Sequence, residues 1–226
     1  MLITANNLSS LTEEERRIIE IYSQSANHYY GNTPEEQDLL PSIGARLGGY
    51  SPSRFLDCCP TLIGLRLLDI GCGCGRFSAR IKPLGIEYTG IDPAEGMIEL
   101  ARKFYPQGDF HLLDVESLAF AVQPATFHVF VAVNSLVFIP GERMTSTLRK
   151  LRSVLKEGAV GLIVHSSTRD HSGQLSAIID DTNEEVEFAE VLWTPESLAP
   201  HLSAAGMEIQ QAATDGMFWH TTVIAS

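Results

Sequence analysis

The stretch LLDIGCGCGRFSARI, residues 67–81, constrains this chain more than any other. An apolar, strand-like segment runs into a turn with glycine at 71, 73 and 75, and the turn opens into a helix pattern. Glycines so spaced admit a left-handed backbone and leave no Cβ in the way, so a ligand or a second backbone can approach closely. Strand, glycine turn and helix in that order are the first half of a βαβ unit.

The sequence downstream continues the alternation. RLLDI, IEYTGID, DFHLLDV, FHVFVAV and AVGLIV are short apolar runs. Between them lie helix patterns from Arg76 to about Pro83, over AEGMIELARKFY and over ERMTSTLRKLRSVLKEG. In the last of these Leu148, Leu151 and Leu155 share a face and Gly158 supplies a stop. Such alternation predicts parallel strands covered by helices on both faces. The tail departs from it: TPESLAPHLSAAGMEIQQ reads as a helix leading to a strand, and GMFWHTTVIAS as a final strand joined to it through TDG. That hairpin places an antiparallel strand in a mostly parallel sheet. Ahead of the core, residues 9–60 are helical in pattern: SLTEEERRIIEIYSQSA opens with a Ser or Thr cap and an acidic first turn, and PEEQDLLPSIGARL opens with proline.

Composition excludes several partners. With 16 Lys plus Arg against 28 Asp plus Glu, the formal net charge of -12 repels a phosphate backbone, so no nucleic acid is expected. The basic group Arg149, Lys150, Arg152 and Lys156 reads as a solvated helix face near the negative end of its dipole. No run approaches the roughly 18 apolar residues of a membrane span, and MLITANNLSSLTEEERR lacks the pattern of a secretory signal. Cys58, Cys59, Cys72 and Cys74 have neither paired C-x-x-C spacing nor histidines at finger spacing. Reduced thiols, no metal and a cytoplasmic location are the expectation.

Three acidic residues accompany the turn. Position 76, where a dinucleotide fingerprint wants its third glycine, is Arg76, so the turn matches a pyrophosphate cradle poorly. Asp69 at the end of the first strand would oppose a phosphate and suits a ligand carrying an ammonium group. Asp92 ends IEYTGID, where a carboxylate accepts hydrogen bonds from ribose hydroxyls. Asp114, in HLLDV, reads as the end of the neighbouring strand at the edge of the same crevice.

With these motifs in place the chain from about Leu65 to Ser226 resembles the class I S-adenosylmethionine-dependent methyltransferases, small-molecule type. LLDIGCGCGRFS, GIDPAEGMIELAR, GDFHLLDVESL, FHVFVAVNSLVFI and LRKLRSVLKEGAVGLIVHSS follow that family's order and spacing. The resemblance implies an α/β, Rossmann-like three-layer sandwich: a seven-stranded, mostly parallel sheet, its last strand antiparallel, with an N-terminal helical lid. Residues 1–60 would be the lid and 61–226 the core, with 165–193 as a substrate-region insertion. S-adenosylmethionine would be the cofactor and S-adenosylhomocysteine the product. Gly71, Gly73 and Gly75, with Cys72 among them, would pass beneath the methionine moiety, and Asp69 would orient its ammonium. Asp92, beside Pro93, would hold the ribose. Met97 would pack near the adenine, Asp114 and the Val115 backbone would meet its edge, and Asn134 and Ser135 would close over the methionine end.

The acceptor side is less defined by motif. Methyl transfer needs alignment more than acid or base, so a catalytic side chain need not appear as a motif. His165, ending LIVHSS on the crevice side, is the best-placed candidate base, ahead of His171 and of His128 inside a strand pattern. Tyr22, Tyr29 and Tyr30, with His28, form an aromatic cluster in the lid; Leu136, Phe138 and Trp193 are candidate pocket walls. NSLVF after the fourth strand differs from the N-P-P-Y segments that resemble enzymes methylating adenine or glutamine nitrogen. Adenine and glutamine are thus disfavoured as acceptors, and the resemblance implies a small-molecule acceptor, methylated on O or N, with carbon as the alternative acceptor atom. The alternatives are a non-enzymatic partner or binding module with this fold and, disfavoured by Arg76, a nicotinamide-dependent oxidoreductase.

Overall fold

The computed structural model describes residues 11–26, 63–166, 174–179, 184–189, 191–214 and 218–226. His28, Tyr29, Tyr30, Cys58, Cys59, His171 and the helix pattern from Pro34 lie outside them. Among the described residues one helix precedes the core, α1 (Glu13–Gln24), whose start is fixed by a capping box between Thr12 and Glu15.

The core alternates β1 (Arg66–Ile70), α2 (Arg76–Ile81), β2 (Glu87–Asp92), α3 (Glu95–Phe104), β3 (Asp109–Leu112), α4 (Leu118–Ala121), β4 (Phe127–Val133), α5 (Gly141–Val154) and β5 (Leu155–Ser166). A hairpin of β6 (Gln174–Ile179) and β7 (Glu184–Ala189) follows, then α6 (Pro195–Ala204), β8 (Met207–Thr214) and β9 (Phe218–Ala225). The main sheet has seven strands in the order β3-β2-β1-β4-β5-β9-β8. β1 to β5 pair in parallel, and β9 runs antiparallel to both of its neighbours, as the TDG hairpin predicts.

Strand alternation divides the core in two. Leu68, Ile70, Phe130 and Ile163 face one side, where they pack on Met144, Leu148 and Leu151 of α5 and Leu198 and Leu202 of α6. Leu67, Val129, Val131 and Leu162 face the other, against Ile81 of α2 and Ile98 and Ala101 of α3. These are the two helical layers implied by the near-continuous apolar strands.

Three local expectations are corrected. The α5 pattern ends at Val154, not Gly158: Leu155 already pairs with Phe127 in the sheet, and Gly158 sits inside β5 with φ +72. The basic residues form a solvated helix face only in part: Arg149 is exposed, and Lys150 and Arg152 are half-buried. Lys150 binds Glu116, Arg149 and Arg152 bond the carbonyls of Ala204 and Ser226, and Lys156 lies in β5 beside His128. The connection after β5 contains the β6–β7 hairpin as a separate two-stranded sheet, which its acidic sequence did not announce.

Gly161 explains how the central strands approach. It is the cross-strand neighbour of Phe130, and a Cβ built on it would lie 1.9 Å from the Phe130 ring. Gly161→Ala is therefore expected to lower stability by about 1–3 kcal/mol through overpacking, measured by urea unfolding; an unchanged midpoint would contradict this packing.

Candidate functional site

In an open α/β sheet the ligand crevice lies at the carboxyl ends of the strands where the order reverses. Here that point falls between β1 and β4, so the glycine turn and the Asn134–Ser135 segment meet there. Gly71, Gly73 and Gly75 all have positive φ, at 67°, 53° and 80°. The close approach is real at Gly71: a Cβ there would stand 2.4 Å from Ser135 Cβ. Asn134 itself adopts φ +50 at the end of β4, a left-handed conformation that Asn tolerates. Its N–H bonds the Val164 carbonyl at 2.8 Å, which ties the ends of β4 and β5 together.

Asp92 organises the opposite wall. Its Oδ2 accepts the Gly73 N–H and its Oδ1 the Ala94 N–H, both at 2.9 Å, and the Ile91 carbonyl accepts the N–H groups of Gly71 and Cys72. Each carboxylate oxygen keeps a further lone pair for a ligand. Burial raises the Asp92 pKa to about 6, against the lowering effect of the two backbone donors. Pro93 beside it is half-buried.

Asp69 lies beneath the turn, 2% exposed, and accepts the Tyr88 hydroxyl at 2.5 Å. Burial pushes its pKa up to about 7; the Tyr88 bond opposes that shift and the charge of Asp92 adds to it. Tyr88 was not singled out from the sequence, since a tyrosine in a strand carries no mark of the partner it will reach across the sheet. Cys72 and Cys74 are buried, and burial raises both thiols, Cys74 to about 11, so neither is a thiolate near neutral pH.

Asp114 stands two residues beyond β3, not at its end. Its oxygens accept the Ser117 N–H at 2.8 Å and the Ser117 hydroxyl at 3.0 Å, capping the short turn Val115–Ser117. Both Asp114 and Val115 are buried. Met97 is buried with Cys74, Ala94 and Leu100, and Tyr22 packs on that group from α1.

Contacts of α1 close over this end of the sheet. The Gly96 N–H donates to Ser23 Oγ at 2.8 Å, Tyr22 meets Phe138 edge-on at 5.6 Å, and Arg143 donates to both oxygens of Glu15 at 2.5 and 2.6 Å. Arg143 also lies 3.6 Å from Glu116, which accepts from Thr147 and Lys150. The Glu15–Arg143–Glu116 chain went unnoticed in the sequence because its members are 128 and 27 positions apart.

Farther along the same end of the sheet, His165 and Trp193 come together with Leu136, Val137, Ile163, Val164 and Leu198 around one narrow cleft. Phe138 is on the Tyr22 side. His128 is remote from this end: its Nδ1 accepts the Arg66 N–H at the start of β1.

The donor set fits an S-adenosyl ligand. Ser135 Oγ is buried next to Gly71 without a hydrogen-bond partner among the described residues, and the Asp92 carboxylate has acceptor capacity to spare. The comparisons agree. Residues 67–158 match the sequence profile described as "Methyltransferase domain". The core of the chain is thus similar to methyltransferase domains. The chain is 32% identical over 146 residues to the biotin biosynthesis bifunctional protein BioHC of Cellvibrio japonicus, covering 64% of this chain and 26% of that protein. It is 36% identical over 101 residues to the ubiquinone biosynthesis O-methyltransferase of Xanthomonas euvesicatoria pv. vesicatoria, covering 43% and 41%. The chain thus spans less than half the length of these curated relatives. Magnesium protoporphyrin IX methyltransferase of Synechocystis PCC 6803 with bound SAH shares the fold, with TM-score 0.68 at 16% identity over 94% of this chain and 100% of that one. Among the described residues no helix is long and apolar enough to cross a membrane, and no metal-ligating cluster occurs.

The buried carboxyls impose a pH dependence. Because the folded pKa of Asp69 lies above its ordinary value of 3.8, the folded chain binds more protons than the unfolded one between about pH 4 and 7, and the contribution to stability is lost as pH rises through that window. Asp69→Asn is expected to flatten the slope of urea-unfolding free energy against pH over this interval. A slope equal to that of the unsubstituted chain would place the proton elsewhere.

Proposed function

We propose that this chain is a methyltransferase that takes S-adenosylmethionine as methyl donor and a small molecule as acceptor, methylated on oxygen or nitrogen. The observation that carries this is the crevice at the β1–β4 switch point, where one buried carboxylate, Asp92, braces a turn of three left-handed glycines. Names among the relatives support it, since a ubiquinone biosynthesis O-methyltransferase is 36% identical to this chain over 101 residues.

In this reading the glycine turn lies beneath the amino-acid end of the cofactor, and Asp69, ionised when an ammonium approaches, orients it. Asp92 accepts the ribose hydroxyls. Asp114 and the Val115 backbone face the adenine edge, with Met97 beneath, while Asn134 and Ser135 meet the methionine end beside Cys72 and Pro93. The bound cofactor supplies an already activated methyl group on a sulfonium. The chain's own part is to hold the acceptor in line and to exclude water, for which α1, with Tyr22 against Phe138, is the cover. His165, held neutral at a pKa of about 4 by burial and then by His220, is a weak base, so its contribution is positional.

Calorimetric titration with S-adenosylhomocysteine, with NAD as control, tests the proposal. Micromolar binding of the former alone is expected. Asp92→Ala should weaken it at least about tenfold, as loss of hydrogen bonds to a charged group costs about 1.5–3 kcal/mol. Unchanged affinity in a folded Asp92→Ala variant would remove Asp92 from the site, and binding of NAD alone would overturn the cofactor assignment.

A further inference from the structure

Buried polar groups almost always find hydrogen-bond partners, so those that do not mark places where a partner arrives from outside. Several gather at the far ends of β5 and β9. His165 is 2% exposed, and neither ring nitrogen has a hydrogen-bond partner among the described residues. Trp193, 5% exposed, has no partner for its Nε1–H among the same residues, and both rings border the same cleft. Thr221, fully buried, likewise has no partner for its hydroxyl among the described residues. Its cross-strand neighbour is Ile163, and that of His165 is Trp219, so Thr221 shares the sheet face of His165 one pair away.

The frame of this cleft is fixed, and it adjoins the cofactor crevice. The Asn134 N–H bonds the Val164 carbonyl at 2.8 Å on one side, and the Val191 N–H bonds the Val137 carbonyl at 2.7 Å on the other. Trp193 is oriented by an edge-on contact with His201 at 5.2 Å. Leu136 and Val137 line the cleft and follow directly on Ser135, the residue packed against Gly71.

We infer that His165 and Trp193 form the polar head of the acceptor site, and that it takes an uncharged hydroxyl carried on an apolar body. The inference rests on the methyltransferase reading for the role of the site. The chemistry of the head selects the ligand. A neutral imidazole offers one N–H and one bare nitrogen, and the indole adds a second N–H. A hydroxyl uses both kinds of group, donating to the bare nitrogen and accepting from an N–H. The remaining lining residues, Leu136, Val137, Ile163, Val164 and Leu198, are apolar and contain no cation. A carboxylate or phosphate would be desolvated there with no countercharge, in a chain of net charge -12. Admitting such an apolar body requires the Leu136, Val137 and Trp193 side chains to turn within that backbone frame, since both polar rings are closely covered as they stand.

The test uses the full chain with 15N-labelled indoles, saturated with S-adenosylhomocysteine, and phenol as the probe. Of the two indole resonances, from Trp193 and Trp219, the one absent in Trp193→Phe should shift progressively with phenol and stay in place with toluene. His165→Leu should weaken the apparent phenol affinity about tenfold or more, and should raise the melting temperature, because no native hydrogen bond is lost. A Trp193 resonance unmoved by phenol, or moved by benzoate and not by phenol, overturns the inference. So does a lower melting temperature in His165→Leu, which would reveal a structural partner for the ring. If S-adenosylhomocysteine itself fails to bind by calorimetry, the methyltransferase reading falls, and the phenol series in the free protein still decides the chemistry of the pocket.

Discussion

One buried carboxylate holds this site together. Asp92 accepts an N–H from the turn after β1 with one oxygen and an N–H from the start of the next helical segment with the other. Backbone donors in a tight glycine turn point inward and cannot all be satisfied by the turn itself. The carboxylate and the Ile91 carbonyl take up three of them, so the shape of the crevice floor depends on two adjacent residues of β2. That dependence couples the first two strands into a single unit, and Asp69 and Tyr88 repeat it one layer down.

The site is held closed from the other side by charge. Glu15 and Glu116 are both nearly buried, and Arg143 lies between them, with Lys150 as a second cation for Glu116. Buried ion pairs of this kind add little stability over an apolar substitute, because desolvation offsets much of the attraction. Their value is geometric: they set where α1 lies over the ends of β2 and β4. Gly96 has the same function in steric form, since any Cβ there would collide with the Ser23 carbonyl.

At the cleft of His165 and Trp193 the balance is reversed, with polar atoms that have no partner among the described residues under apolar cover. Each such atom costs roughly 1–3 kcal/mol relative to a satisfied one. A fold tolerates that cost where function uses the unpaired groups, at the expense of stability.

The sequence by itself determined the sheet, the glycine turn and the acids around it. Strand and helix periods are local, and a left-handed turn demands glycine wherever it occurs, so GCGCG, Asp69 and Asp92 were legible without coordinates. Asp114 was legible as a position and not as a cap, since which donor a carboxylate meets depends on the turn that follows. The β6–β7 hairpin was missed because its strands mix acidic and apolar residues without turn signals as plain as TDG. Tertiary structure alone decided that Tyr88 reaches Asp69, that Arg143 joins two distant glutamates, and that His165 and Trp193 share a cleft. Each of these is a meeting of side chains from separate elements, set by strand order and helix packing, and a linear pattern carries no record of distance in space.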